Sequence, residues 1–133
     1  VGGKGAYIVD SEGNEYIDCL SGLWNNTAGN GRPELADAAA AQMRQMGFVS
    51  GYAGSSNPRA IELSERLAHL TYPSINHFYL TSGGGESTDS NIKLARYHWK
   101  LKGKPDKTKV ISRIWGYHGV TLAAMCATGI PAY

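Results

Sequence analysis

The sequence predicts an α/β fold built on a parallel βαβ unit, and three observations carry that expectation. Residues 77–81 and 110–114 are short apolar runs with the composition of strands. Between them Ile92, Ala95 and Trp99 recur at helical spacing. Three consecutive glycines, Gly83, Gly84 and Gly85, fill the step from the first run into that helix. Strand, helix and strand at this spacing imply parallel strands joined by a right-handed crossover.

The other elements follow in chain order. Residues 6–18 read as a hairpin, two short β-rich runs around Asp10-Ser-Glu-Gly-Asn14, with Gly13 able to take the positive φ that the loop requires. Pro33 and Glu34 open a helix whose apolar face carries Leu35, Ala39, Met43 and Met46; Arg44 lies near its end and Gly47 just past it. A glycine- and serine-rich connection over residues 50–56 leads to Asn57 as an N-cap and Pro58 at the first helical position. Ala60, Leu63, Leu67 and Leu70 then repeat at three and four until Tyr72 and Pro73 end the helix. Beyond the βαβ unit, Gly119 to Thr128 reads as a small-residue helix with Gly129 as its stop.

Composition narrows the function classes. A chain of 133 residues is the size of one ordinary domain, and 42% hydrophobic residues with 18% charged residues describe a globular chain with a core rather than a disordered one. The net charge of +2 gives no reason to expect nucleic acid as a partner. Its densest basic run, Lys100 to Lys109, is broken by Gly103, Pro105 and Asp106 and reads as a solvated loop. Cys19 and Cys126 have neither the spacing of a zinc site nor that of a disulfide framework, so no metal is expected and a reducing cytoplasm is. No apolar run approaches the ~20 residues of a membrane helix, and no signal peptide is recognisable. The chain opens on Val1 and stops just after a proline, which leads us to expect a piece of something longer.

The glycines sit where open α/β sheets put ligands, in the turn leaving a strand and entering a helix. There they let N–H groups approach an anion, and the helix N-terminus adds about half a positive charge. Their spacing fits neither GxGxxG nor GxxxxGK[ST], and a tight connection without a ligand is the plain alternative. A second loop, Trp115-Gly-Tyr-His-Gly-Val-Thr121, follows the other strand and lies at the same carboxyl edge. Tyr117 can stack on a flat heterocycle there, and His118 can donate a hydrogen bond or support the site from behind. Singly, each is more often packing than recognition. A phosphate site beside an aromatic ring describes a nucleotide or pyridoxal phosphate (PLP).

These residues resemble the class III aminotransferases, PLP enzymes of fold type I, and within them the ω-amino acid or amine:pyruvate transaminases. The likeness runs through Tyr7-Ile-Val-Asp-Ser-Glu-Gly-Asn-Glu-Tyr-Ile-Asp18, Ser21-Gly-Leu-Trp-Asn25, Gly29-Asn-Gly-Arg-Pro-Glu-Leu35, Thr81-Ser-Gly-Gly-Gly-Glu86, Ile92-Lys-Leu-Ala-Arg96 and Gly116-Tyr-His-Gly119. It implies that residues 1–47 belong to the small domain of such an enzyme. Residues 48–133 then begin its large PLP-binding domain with the first βαβ unit.

The resemblance also implies roles. The loop at Gly83, Gly84 and Gly85 wraps the cofactor phosphate; glycines replace a typical Ser-Gly-Ser, so the amides of Gly84 and Gly85 carry more of the contact, with Ser82 a candidate to compensate. Tyr117 stacks on the pyridine ring with His118 beside it, while Trp24 and Tyr52 shape the substrate pocket. Glu86 recurs in the motif and suits helix capping better than ligand contact. The Schiff-base lysine and the aspartate that protonates the pyridine are expected beyond Tyr133, so no residue of this chain is assigned to catalysis. The implied reaction moves an amino group from an amine or ω-amino acid to a keto acid such as pyruvate, in a cytoplasmic homodimer or tetramer. Aminomutases and decarboxylases of the same fold type, and a non-catalytic phosphate- or nucleotide-binding module, are the alternatives.

Overall fold

The computed structural model describes residues 1–52 and 54–132. They form two compact units, Val1–Leu63 and Ser64–Tyr133.

The first unit begins with an antiparallel meander of three strands: β1 (Gly2–Lys4), β2 (Tyr7–Val9) and β3 (Glu15–Ile17). Gly3 pairs with Ile8, and Ile8 with Tyr16. The β2–β3 hairpin is the one the sequence predicts, whereas β1 lies in Gly2-Gly3-Lys4, which has no strand propensity of its own and owes its state to pairing with β2. Asp10 organises the hairpin loop. Its Oδ1 accepts the amides of Glu12 and Asn14 at 2.8 and 2.9 Å, and its Oδ2 accepts the Asn14 side chain and the Tyr16 hydroxyl at 3.1 and 3.0 Å. Led by the bonds from Asn14, these hold the carboxyl at a pKa of about 2.

The sequence gives no warning of the next element. Ser21–Trp24 (α1) is one turn of left-handed helix, with φ of 48°, 58°, 63° and 64° in succession. Left-handed backbone costs about 1–2 kcal/mol per non-glycine residue, so the turn needs outside support. The Asp18 carbonyl accepts the Ser21 amide at 3.2 Å, and the Ser21 carbonyl accepts those of Asn25 and Asn26 at 3.0 and 2.8 Å. Helix α2 (Pro33–Met46) starts and stops where Pro33 and Gly47 predict. Helix α3 (Pro58–Leu70) is capped as expected, the Asn57 side chain accepting the Ala60 amide at 2.9 Å.

The second unit holds α4 (Gly84–Leu101) packed on α5 (Leu122–Ala127). At their contact Ala124 is fully buried and Ala127 nearly so. Helix α5 is shorter than the predicted Gly119–Thr128 because Gly119, at φ 126°, and Thr121, the N-cap in extended backbone, both lie outside helical conformation. Two further expectations need correcting. Residues 77–81 and 110–114 form no ladder with each other or with any other described segment; the one pairing is an isolated parallel bridge from Ile114 to Gly129. Strand composition without a neighbouring strand leaves backbone donors with no ladder to enter, so the βαβ unit is present here as helix and flanking segments only. The basic run after α4 is also more than a solvated loop. Lys107 Nζ lies 3.5 Å from the Trp99 ring centre, Lys104 lies at 5.4 Å, and Arg96 donates to the Thr108 carbonyl at 2.9 Å.

Candidate functional site

The site is built on the first turn of α4. Gly83 is its N-cap in extended backbone, and Gly84 and Gly85 are already helical, so of the three glycines expected in the connection only Gly83 precedes the helix. The first intrahelical bond runs from the Ser87 amide to the Gly83 carbonyl at 3.0 Å. The amides of Gly84, Gly85 and Glu86 therefore lie ahead of any helical acceptor, at the positive end of an 18-residue helix. A side chain on Gly83 or Gly84 would meet no atom within 4 Å, so the Cβ side of both residues is open.

Glu86 folds back over this turn. Its Oε2 accepts the Ser82 amide at 2.9 Å and the Ser82 hydroxyl at 2.6 Å, which together hold its carboxyl below the usual range. Glu86 thus closes a capping arrangement at the helix entrance. The Ser82 hydroxyl proton is committed to Glu86 while this bond holds. On the next turn Thr88 Oγ1 donates to the Gly84 carbonyl at 3.0 Å.

The Tyr117 loop meets the glycines directly. Gly119, at φ 126°, lies so close to α4 that a Cβ on it would be 2.8 Å from Gly85 Cα and 3.0 Å from Ala124 Cβ. A Cβ on Gly85 would be 3.1 Å from Thr121 Oγ1. Two backbones can approach this closely only where both residues lack side chains. The contact leaves a depression of about 480 Å³, lined by Gly84, Gly85 and Glu86 on one side and by Tyr117, His118 and Gly119 on the other. The Tyr117 ring is exposed beside it. The His118 amide donates to Thr128 Oγ1 at 3.0 Å, and its ring lies over Gly116.

Five of the sequence-selected residues, Gly83, Gly84, Gly85, Tyr117 and His118, thus come together with Ser82 adjacent. Trp24 and Tyr52 belong to the first unit, both exposed, Trp24 at the end of the left-handed turn and Tyr52 on the connection after α2. Sequence reasoning missed Asp89 and Thr121. Asp89 Oδ1 accepts the Thr121 hydroxyl at 2.8 Å and the Ala124 amide at 2.7 Å, and the Thr121 bond above all lowers its carboxyl pKa. A threonine before a helix is a visible signal, but its partner is 32 residues away.

Over residues 1–133 the chain matches the family model described as aminotransferase class III. The chain belongs to the class III aminotransferases. The family is PLP-dependent. Its members similar to this chain include the putrescine–pyruvate aminotransferase of Pseudomonas aeruginosa, 39% identical over 97% of this chain and 28% of its own length. Among solved structures, an (S)-enantioselective ω-transaminase from Thermomicrobium roseum is 48% identical with a TM-score of 0.96, covering 99% of this chain and 30% of that one. A PMP-bound aminotransferase from Vibrio fluvialis is 37% identical with a TM-score of 0.91, covering 99% of this chain and 29% of that one. The chain spans about 28% of the length of the curated relatives it matches. These likenesses establish the fold type I architecture. Among the described residues, no helix is long and apolar enough to cross a membrane.

Proposed function

We propose that the protein carrying this chain is a transaminase that moves an amino group from an amine or ω-amino acid to a keto acid such as pyruvate, with PLP as its cofactor. The observation that carries the reading is the packing of Gly119 on Gly85, which sets unpaired helix-end amides beside an exposed tyrosine. The donor set fits the cofactor: the open Cβ sides of Gly83 and Gly84 leave room for a phosphate at the helix end, and Tyr117 offers an apolar face to a planar ring.

In this reading the Gly84 and Gly85 amides hold the phosphate and Tyr117 lies on the ring. His118 steadies the loop through the hydrogen bond its backbone N–H donates to Thr128 Oγ1, and Ser82 reaches the phosphate only by giving up its bond to Glu86. Trp24 and Tyr52 wall the amine pocket. Bound PLP supplies the electron sink that makes the amine's carbon acidic. Residues 1–47 as small-domain segment, residues 48–133 as the start of the cofactor domain, a homo-oligomeric state and a cytoplasmic location belong to the same reading. Names of relatives support the substrate class, since several pair an amine or ω-amino acid with pyruvate.

The test is alanine formation from pyruvate by the full-length protein, with putrescine and β-alanine as donors and PLP supplied. Donor-dependent alanine supports the reading. A protein that binds PLP but releases carbon dioxide or an isomerised amine instead would replace it with a decarboxylase or aminomutase. A protein that takes up no PLP would overturn it altogether.

A further inference from the structure

We propose that Asp89 is a positioning residue that locks the Tyr117 loop onto the glycine turn and so sets the distance between the two halves of the cofactor grip. The inference rests on the transaminase reading for its functional consequence, but its structural content stands on the geometry of α4 and α5.

Among the described residues Tyr117 has no hydrogen-bond partner; its ring is exposed and its place is inherited from the backbone around it. That backbone is fixed at several points. Gly119 abuts Gly85, the Thr121 side chain fills the space beside Gly85, the Thr128 hydroxyl accepts the His118 amide, and the Gly116 carbonyl accepts the Gly129 amide at 2.9 Å. The first two hold only if residues 119–121 are pressed against α4, since contacts between glycines provide shape but little attraction. Asp89 provides the attraction. It projects from the second turn of α4, half-buried, and one carboxylate oxygen receives both the Thr121 hydroxyl and the Ala124 amide. Helix α5 is thereby capped from outside, by a residue of the helix whose own N-terminus faces the depression.

The geometry makes a distinction that tests the idea. Because both bonds end on the same oxygen, an asparagine at 89 can make both with its amide carbonyl, whereas alanine makes neither. A role for the charge would separate aspartate from asparagine. A positioning role separates both from alanine.

In the full-length protein, Asp89→Asn, Asp89→Ala and Thr121→Val are compared by two readouts. The first is amide hydrogen exchange of the apo-protein; the second is the PLP dissociation rate of the loaded protein. Asp89→Ala is expected to speed exchange across residues 117–125 while residues 2–17 are unchanged, and to raise the dissociation rate about fivefold, the equivalent of one ordinary hydrogen bond. Asp89→Asn is expected to stay within about twofold of the parent on both. If Asp89→Ala fails to fold, Thr121→Val decides, with the same direction and a smaller effect. Parent-like exchange at 117–125 in Asp89→Ala, or an Asp89→Asn variant as loose as Asp89→Ala, overturns the proposal. Should the parent bind no PLP, the transaminase reading falls while the exchange result still decides whether Asp89 holds the loop.

Discussion

Glu86 shares the first turn of α4 with the amides proposed to hold a phosphate, and its charge would oppose that phosphate if it were free. Both Ser82 donors engage it instead, so the carboxylate is turned back along the chain and its charge is stabilised by those bonds. Its folded pKa is depressed, so this support is fully present above the unfolded value of 4.5 and fades only as pH falls through the lower folded value. The turn is therefore held throughout the neutral range. Tyr117 gives the sharpest residue-level prediction. Tyr117→Ala in the full-length protein is expected to weaken PLP retention by about 0.5–1.5 kcal/mol, roughly 2- to 13-fold in Kd, measured by equilibrium dialysis. An unchanged Kd removes Tyr117 from the site. Glycine and aromatic signals of this kind are legible because the residue type itself declares a backbone or stacking requirement. Asp89 is not legible, because an aspartate inside a helix looks solvated until its partner across the fold is known.

At the scale of elements, α2 and α3 were readable to within a residue because their signals are local: proline at the first position, an asparagine cap, glycine after the end. The left-handed turn at Ser21–Trp24 was not readable, since only Gly22 among its four residues favours that backbone and the support comes from Asp18 and Asn26. Its position matters to the account, because Trp24 is the wall assigned to the amine pocket. The Asp10 hairpin supplies a pH prediction. With a folded pKa of about 2 against 3.8, Asp10 stabilises the hairpin fully above about pH 4, and that contribution is lost as pH falls through about 2. Titration followed at the Glu12 and Asn14 amides by NMR is expected to show a midpoint near 2; a midpoint at the ordinary carboxylate value would mean the loop bonds are absent in solution.

For the molecule as a whole, the helices were legible from spacing and the fold type from the family resemblance, but sheet formation was not, because a strand's hydrogen bonds depend on neighbours no local pattern reveals. The exposed apolar residues show the same dependence. Ile111 is 96% exposed, Phe48 84% and Ile114 81%, while the buried apolar core among the described residues is two alanines. Residues 1–133 expressed by themselves are accordingly expected to aggregate or to melt without a cooperative transition in calorimetry, and a sharp transition would contradict this.

If the α4 amides and the Tyr117 loop grip one cofactor between them, a crystal structure of the full-length protein loaded with PLP will show it. Phosphate oxygens are expected within hydrogen-bond distance of the Gly84 and Gly85 amides, with the pyridine ring against Tyr117; a phosphate bound elsewhere, with those amides facing only water, would rule the shared grip out.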